Sequence, residues 1–251
     1  MAPTSHVVVV GHGMVGHRFV EALRARDTSC SWRVTVLAEE VDAAYDRVGL
    51  TGYTEHWDRT RLALPGNDYL GDPLVEVRLG SRVTAVDRAA KVVTTADGVR
   101  IGYDALVLAT GSYAFVPPVP GRDLPSCHVY RTLDDLDAIR ADAARARESN
   151  RSPVGVVIGG GLLGLEAANA LRGFGLSAHV VERSPRLMAQ QLDEAGGALL
   201  NRMISELGIV VHTDVGTESI KPAQRNRPLR RSAEDDSMRV TLSDGTFIDA
   251  G

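Results

Sequence analysis

Cysteine is nearly absent from this chain of 251 residues, which contains only Cys30 and Cys127. The two cysteines are far apart and form no CxxC pair. A disulfide framework, a four-cysteine iron–sulfur cluster and a structural zinc site are therefore not supported. We expect both thiols to be ordinary packing residues.

Long apolar runs and an excess of charge of one sign are also absent. The longest apolar stretches are a few residues, far short of the roughly 20 that a membrane helix needs, and no secretory signal pattern is present. A formal net charge of -4 and a pI near 6.0 give no broad attraction for nucleic acid. The sequence favours a cytoplasmic globular protein that binds neither membranes nor nucleic acid.

A strand–glycine turn–helix–strand pattern occurs twice, at residues 6–40 and 155–182. The length favours two cores, and the prolines between Gly111 and Gly121 favour a stiff connection. We therefore predict an α/β fold of two Rossmann-like dinucleotide-binding domains, residues 1–116 and 117–251, the last residues returning towards the first domain. Further predicted elements are strands at 75–79, 82–86, 91–95, 105–110 and 238–242, a helix at 132–147 and a solvated loop at 221–236. The basic part of this loop, at 221–231, has a docking patch as its alternative interpretation.

The first glycine motif is Gly11, Gly13 and Gly16 in the sequence GHGMVG. Its glycines allow a tight turn, close approach of a pyrophosphate and close helix packing, and N–H groups at the helix start face the phosphates. An acidic residue after the next strand should accept hydrogen bonds from the ribose. Glu39 is the better candidate for this position, and Glu40 is the alternative.

The second glycine motif is Gly159, Gly161 and Gly164, with Glu182 closing the strand that follows. A carboxylate there accepts hydrogen bonds from a free ribose 2′-hydroxyl and repels a 2′-phosphate, so NAD(H) is favoured over NADP(H). Arg183 and Arg186 weaken this preference, because they either pair with Glu182 or lie in solvent.

Other residues near the motifs have both a functional and an ordinary structural interpretation. Ala109, Thr110 and Gly111 end a strand where a flavin nucleotide would lie, or form a plain turn. Glu166 is placed in the first turn of the second helix, where a carboxylate gains from the helix dipole without a chemical role. His12 and His17 flank the first turn as spacers or solvent contacts, and we assign neither a role.

Several blocks together resemble the amino-terminal module of the large subunit of assimilatory NADH-dependent nitrite reductase, within the pyridine nucleotide-disulfide oxidoreductase superfamily. The sequence motifs GMVGHRF, YDRV and GGGLLGLEAA distinguish this branch from ferredoxin and rubredoxin reductases. The blocks are VVGHGMVGHRFVEAL at 9–23, AYDRVGLTGY at 44–53, LATGSYAFVPPVPG at 108–121, VYRTLDDLDAI at 129–139, GGGLLGLEAANAL at 159–171 and LMAQQLDEAGG at 187–197.

The resemblance implies a glutathione-reductase-like fold with FAD across the first domain and NADH on the second glycine motif. Arg47 and Arg131 would approach the flavin, and Glu166, the candidate catalytic residue, would lie close to the nicotinamide, where a hydride passes to flavin N5. The expected cofactor-binding residues are Gly11, Gly13, Met14, Val15, Gly16, Glu39, Glu40, Arg47, Val83, Ala109, Thr110, Gly111, Arg131, Gly159, Gly161, Leu162, Leu163, Gly164, Glu182 and Arg183; no metal ligand is expected.

The resemblance also implies partners that this chain does not supply. Family members continue with further strands that complete the FAD domain, so we expect that domain to be incomplete, and nitrite reductase adds iron–sulfur and sirohaem centres. The expected function is an NADH-accepting flavin module that passes electrons to such centres. The alternatives are a stand-alone ferredoxin- or rubredoxin-type reductase and a truncated product without activity. Disulfide reductase chemistry is not expected, because residues 41–53 contain no cysteine.

Overall fold

The structure is a computed structural model that describes residues 5–148, 153–223 and 237–251. It divides into two compact units, Met1–Tyr113 and Ala114–Gly251. The helices are α1 Met14–Arg26, α2 Leu50–His56, α3 Leu133–Glu148, α4 Leu162–Gly173 and α5 Glu194–Glu206. The strands are β1 Ser5–Val10, β2 Trp32–Leu37, β3 Val75–Arg78, β4 Val83–Asp87, β5 Val92–Thr95, β6 Arg100–Gly102, β7 Ala105–Leu108, β8 Val154–Ile158, β9 Ser177–Val181, β10 Val210–His212, β11 Thr217–Pro222, β12 Met238–Leu242 and β13 Phe247–Ala250.

The first unit is built on a parallel sheet with the order β3-β2-β1-β7. Val7 to Val10 of β1 are all buried, because this strand is central and covered on both faces. Val20 of α1 packs with Val7, Val9 and Tyr69 on one face. The antiparallel sheet β4-β5-β6 contributes Val93 and Ile101 to the other face, and the chain then returns through β7 to pair with β1.

The second unit repeats this plan. Strands β8, β9 and β10 form a parallel sheet, and α4 connects β8 to β9. Ala168 of α4 and Ile209 pack against Val180 on one face of the sheet, while Val240 and Ile248 of the antiparallel sheet β11-β12-β13 cover Val181 on the other. The predicted α/β fold with two Rossmann-like units is therefore confirmed in its arrangement of strands and helices.

Several local expectations differ from the structure. α1 begins at Met14, so the residues after Gly13 are already helical. Cys30 is exposed, so it is not a packing residue, whereas Cys127 is half-buried. Of the predicted loop at 221–236, Lys221 and Pro222 belong to β11, and residues 224–236 lie outside the described residues. Among the helices of the described ranges, none has the length and apolar character needed to span a membrane.

Candidate dinucleotide-binding sites

The first glycine turn joins β1 to α1, and its three glycines have different surroundings. Gly11 has a φ of +104°, and a methyl group there would lie 2.1 Å from the carbonyl oxygen of Ala109. A methyl group at Gly16 would lie 2.1 Å from the carbonyl oxygen of Gly11. A methyl group at Gly13 would meet no atom within 4 Å, so this face of the turn is open. Gly11 and Gly16 are thus required by packing, and Gly13 leaves room for a ligand.

The second turn, between β8 and α4, has the same geometry. Gly159 has a φ of +112°, and a methyl group at Gly164 would lie 1.9 Å from the Gly159 carbonyl oxygen. A methyl group at Gly161 would again meet no atom within 4 Å. Two turns of one design therefore stand at equivalent places in the two units.

The helices that follow these turns begin without side-chain caps. Gly13 and Gly161 are the N-cap residues of α1 and α4, and neither helix has an acidic residue in its first turn. The other two long helices are capped: Asp193 accepts a backbone N–H at the start of α5, and Thr132 and Asp135 exchange hydrogen bonds at the start of α3. The uncapped N–H groups of α1 and α4 are suited to phosphate oxygens.

Apolar side chains at the same two helix starts are exposed. Met14 and Val15 are 38% and 72% exposed, and Leu162 and Leu163 are 60% and 52% exposed. These four residues, which we expected to contact cofactors, border the open face of each turn.

Glu39 and Glu40 have different partners in the structure. Both oxygens of Glu40 are engaged, one by the Tyr45 hydroxyl at 2.7 Å and the other by the Arg47 guanidinium at 2.5 Å. Glu39 is exposed and accepts a hydrogen bond from the Tyr113 hydroxyl at 2.7 Å. That hydrogen bond raises the pKa of Tyr113. Tyr113 was not among the expected cofactor-binding residues, because 74 residues separate it from Glu39.

Glu182 is hydrogen-bonded to the backbone of the second glycine turn. Its carboxylate accepts the backbone N–H groups of Gly160 and Ser184, both at 2.7 Å. Burial opposes ionisation, but these hydrogen bonds outweigh it and lower the pKa of Glu182. Glu182 and Arg183 line a cavity of about 340 Å³ beside Gly161. The carboxylate expected to meet a ribose therefore lies in a cavity next to the turn.

The two acidic positions are not equivalent in the repeat. The Gly11 N–H donates to the Leu37 carbonyl, as the Gly159 N–H does to that of Val181, each at 2.8 Å. Glu182 therefore corresponds to Ala38, and Glu39 comes one residue later. Counting residues from each glycine motif in the sequence could not reveal that Glu39 lies one residue beyond the position equivalent to Glu182.

The remaining candidates in the second unit are dispersed. Arg186 donates to the carbonyls of Ala189 and Leu192, so this side chain stabilises the loop after β9. Arg131 is half-buried and precedes Thr132, the residue before α3. Glu166 is half-buried, and because α4 begins at Leu162, the expectation that it lies in the first turn is wrong. The helix-dipole explanation for Glu166 is correspondingly weaker.

In the first unit, the segment after β7 contacts the glycine turn. The Ala109 N–H donates to the Val10 carbonyl at 2.8 Å, and Thr110 and Gly111 follow it, exposed. Val83 packs half-buried against the core cluster of Val8 and Val10. Within the ranges that the structure describes, no group of three or more potential ligands could hold a metal ion.

These features can be compared with known proteins. Residues 5–251 match the family Pyridine nucleotide-disulphide oxidoreductase. The chain belongs to this family. The family is thus the one that the sequence predicted, and two of its similar members are named for NAD(P)H and NADH. The open glycines, the uncapped helices and the Glu182 cavity fit two dinucleotides.

Similar proteins include nitrite reductases. The chain is 54% identical over 214 residues to the nitrite reductase [NAD(P)H] large subunit of Klebsiella oxytoca, covering 85% of this chain and 22% of that protein. It is 40% identical to the nitrite reductase (NADH) large subunit of Escherichia coli K12, covering 93% and 27%. The predicted resemblance is therefore confirmed, and the chain spans about a quarter of the length of these relatives.

Ferredoxin reductases are similar at lower identity and greater coverage. The ferredoxin--NAD(+) reductase subunit of the benzene 1,2-dioxygenase system of Pseudomonas putida is 30% identical, with 97% of this chain and 55% of that protein covered. The structure of a ferredoxin reductase for the CYP199A2 system from Rhodopseudomonas palustris aligns with a TM-score of 0.77 at 29% identity, covering 98% and 56%.

Proposed function

We propose that this chain is the NADH-accepting flavin module of a nitrite reductase-type large subunit, and that it passes electrons from FAD to redox centres outside the module. The pair of open glycine turns, each followed by an uncapped helix, carries the proposal. Identity to the Klebsiella oxytoca subunit supports the nitrite reductase branch over the ferredoxin reductases. In this proposal the acceptors are downstream iron–sulfur and sirohaem domains or a separate redox protein.

The first unit is proposed to hold FAD, which accepts a hydride from NADH and releases the electrons to an acceptor. The N–H groups at the start of α1 hold the pyrophosphate, and Glu39 accepts hydrogen bonds from the ribose. Glu40 is engaged by Tyr45 and Arg47, so its proposed role is to orient the Arg47 guanidinium towards the flavin. Ala109 to Gly111 line the nucleotide beside the turn.

The second unit is proposed to hold NADH at the start of α4. Glu182 is fixed by two backbone N–H groups and presents its remaining lone pairs to the ribose. Arg183 is the exposed cation in this cavity, whereas Arg186 is directed at loop carbonyls. The Glu182 carboxylate supports NADH over NADPH, because it would repel a 2′-phosphate. Glu166 is proposed to orient the nicotinamide, and Arg131 to approach the flavin.

The decisive experiment is an anaerobic titration of the purified chain, reconstituted with FAD. NADH is expected to bleach the flavin absorption at about one equivalent, and NADPH to do so only at higher concentration. A colourless chain that cannot be reconstituted, or a bound flavin that NADH does not reduce, would show that the chain is not a competent reductase module.

The second candidate is a stand-alone ferredoxin-type reductase, which the 30% identical Pseudomonas putida relative favours. The electron acceptor that each would use distinguishes this candidate from the nitrite reductase module. Rapid reduction of an added [2Fe–2S] ferredoxin by NADH and the flavin-loaded chain would favour the ferredoxin reductase. Reduction of ferricyanide with negligible ferredoxin reduction would favour the nitrite reductase module.

A further inference from the structure

Three buried side chains of the first unit form a hydrogen-bonded chain against the first glycine turn. His12, between Gly11 and Gly13, is 7% exposed, His17 of α1 is 4% exposed and Tyr69 is 5% exposed. The Tyr69 hydroxyl oxygen lies 2.9 Å from His12 Nε2 and 2.8 Å from His17 Nδ1. Neither histidine is therefore the solvent contact that the sequence suggested.

The outer ends of this chain determine where its protons lie. The Pro65 carbonyl can only accept, so His17 Nε2, at 2.8 Å, carries a proton and donates it. The Ala44 N–H can only donate, so His12 Nδ1, at 3.2 Å, accepts. The remaining arrangement has His12 Nε2–H donating to Tyr69 and the Tyr69 hydroxyl donating to His17 Nδ1. All four hydrogen bonds are satisfied when both imidazoles are neutral.

Burial favours this neutral arrangement. Burial, and then the neighbouring His17, lowers the pKa of His12 to about 4. Burial, and then the nearby Glu21, raises the pKa of Tyr69 to about 12. Neither His12 nor Tyr69 changes charge near neutral pH, so the hydrogen bond that His12 donates to Tyr69 keeps its direction.

Among residues 11–13 of the turn, only His12 has a side chain that can hold the backbone of the turn in place. Gly11 and Gly13 have no side chains, and glycine loses more conformational freedom on ordering than any other residue. Both ring nitrogens of His12 are bound, one to the segment at Ala44 and the other to Tyr69. Tyr69 in turn reaches α1 through His17. The turn is thus tied to three separate segments of the unit.

We propose that Tyr69 is a positioning residue, which holds the first glycine turn, through His12 and His17, in the shape that binds the pyrophosphate of FAD. The proposal rests on the placement of FAD in the first unit, made above. Tyr69 lies behind the turn and acts on cofactor affinity through His12 without touching the cofactor.

The test is the FAD dissociation constant of the Tyr69→Phe variant of the 251-residue chain. This change keeps the aromatic ring in its core cluster and removes only the hydroxyl. It leaves a buried donor on His12 and a buried acceptor on His17 without their partner. We expect FAD to bind about tenfold more weakly. With FAD saturating, the KM for NADH should be unchanged in a ferricyanide assay. Tyr103→Phe, at a half-buried tyrosine of the same unit, is the control and should leave FAD affinity within twofold.

A double-mutant cycle separates positioning from general destabilisation. If Tyr69 acts through His12, the losses of FAD affinity in Tyr69→Phe and His12→Ala should be clearly less than additive in the double variant. Should Tyr69→Phe fold poorly, imidazole ¹⁵N spectra of the wild-type chain provide a second measurement. In these spectra the proton of both His12 and His17 should be on Nε2, as the four hydrogen bonds require.

Three results would overturn the proposal. They are unchanged FAD affinity in Tyr69→Phe, additive losses in the cycle, or a proton on Nδ1 of either histidine. If the wild-type chain retains FAD, any of these results leaves the proposed function standing. If the wild-type chain binds no FAD at all, the proposed function fails, and the role of Tyr69 fails with it.

Discussion

At the scale of single residues, the glycines of one motif serve different physical purposes. Gly16 is constrained by the Gly11 carbonyl oxygen, 2.1 Å from where its methyl group would lie, whereas Gly13 has no atom within 4 Å of that position. Substitution by alanine should therefore separate folding from cofactor binding.

We predict opposite outcomes for Gly13→Ala and Gly16→Ala. Gly13→Ala should keep the wild-type Tm within about 2 °C but lose most bound FAD, because its methyl group occupies the face that the pyrophosphate approaches. Gly16→Ala should lower Tm by about 5 °C, since overpacking costs about 1–3 kcal/mol. Thermal unfolding of the apoprotein and flavin content after gel filtration measure the two effects. Gly102→Ala, at the exposed last residue of strand β6, is the control. Full flavin content in Gly13→Ala would contradict the role assigned to the open face.

At the scale of elements, the start of a helix can favour either stability or ligand binding. An acidic residue in the first turn stabilises a helix by about 0.3–1 kcal/mol, and α5 has Glu194 there. Neither α1 nor α4 has such a residue. The amino-terminal ends of α1 and α4, which carry partial positive charge, are therefore suited to phosphate groups.

Introducing a carboxylate at these helix starts should therefore weaken cofactor binding without destabilising the fold. Leu162→Asp should raise the KM for NADH about tenfold, which corresponds to about 1.4 kcal/mol of repulsion, and leave FAD content unchanged. Met14→Asp should reduce FAD affinity and leave NAD⁺ binding by the apoprotein unchanged. Tm should not fall in either variant by more than about 3 °C. Leu199→Asp, on α5, matches Leu162→Asp in charge and nearly in exposure, so an equal rise in KM there would point to net charge instead.

The sequence was sufficient to predict the elements that are determined by residues close together in the chain. Glycine turns followed by periodic helices predicted both Rossmann-like units. The acidic segment that follows Thr132 predicted the start of α3, and Thr132 caps this helix. Contacts between distant segments were not predictable. Arg24 of α1 is largely buried between Asp27 and Asp72, and Asp72 is 48 residues away. The Tyr69 contacts of His12 and His17 were missed for the same reason.

At the scale of the whole molecule, the duplicated plan raises the question of which cofactor each turn binds. The two turns have nearly the same backbone geometry, so the turns alone do not discriminate. Their surroundings differ: Ala109 lies against the first turn, while Glu182 is hydrogen-bonded to the second. The assignment of FAD to the first unit and NAD(H) to the second therefore depends on residues outside the glycines.

Hydrogen exchange measured by mass spectrometry can test this assignment on the intact chain. FAD added to the apoprotein should slow amide exchange most strongly in peptides covering Gly11 to Gly16 and Ala109 to Gly111. NAD⁺, used because it cannot reduce the flavin, should slow exchange most strongly in peptides covering Gly159 to Gly164 and at Glu182. A ligand present at about 100 times its Kd stabilises the states that bind it by about 2.7 kcal/mol, so opening of a bound turn should slow by up to about 100-fold. Strongest protection of the first turn by NAD⁺ would reverse the assignment, and the two proposed sites would then have to be exchanged.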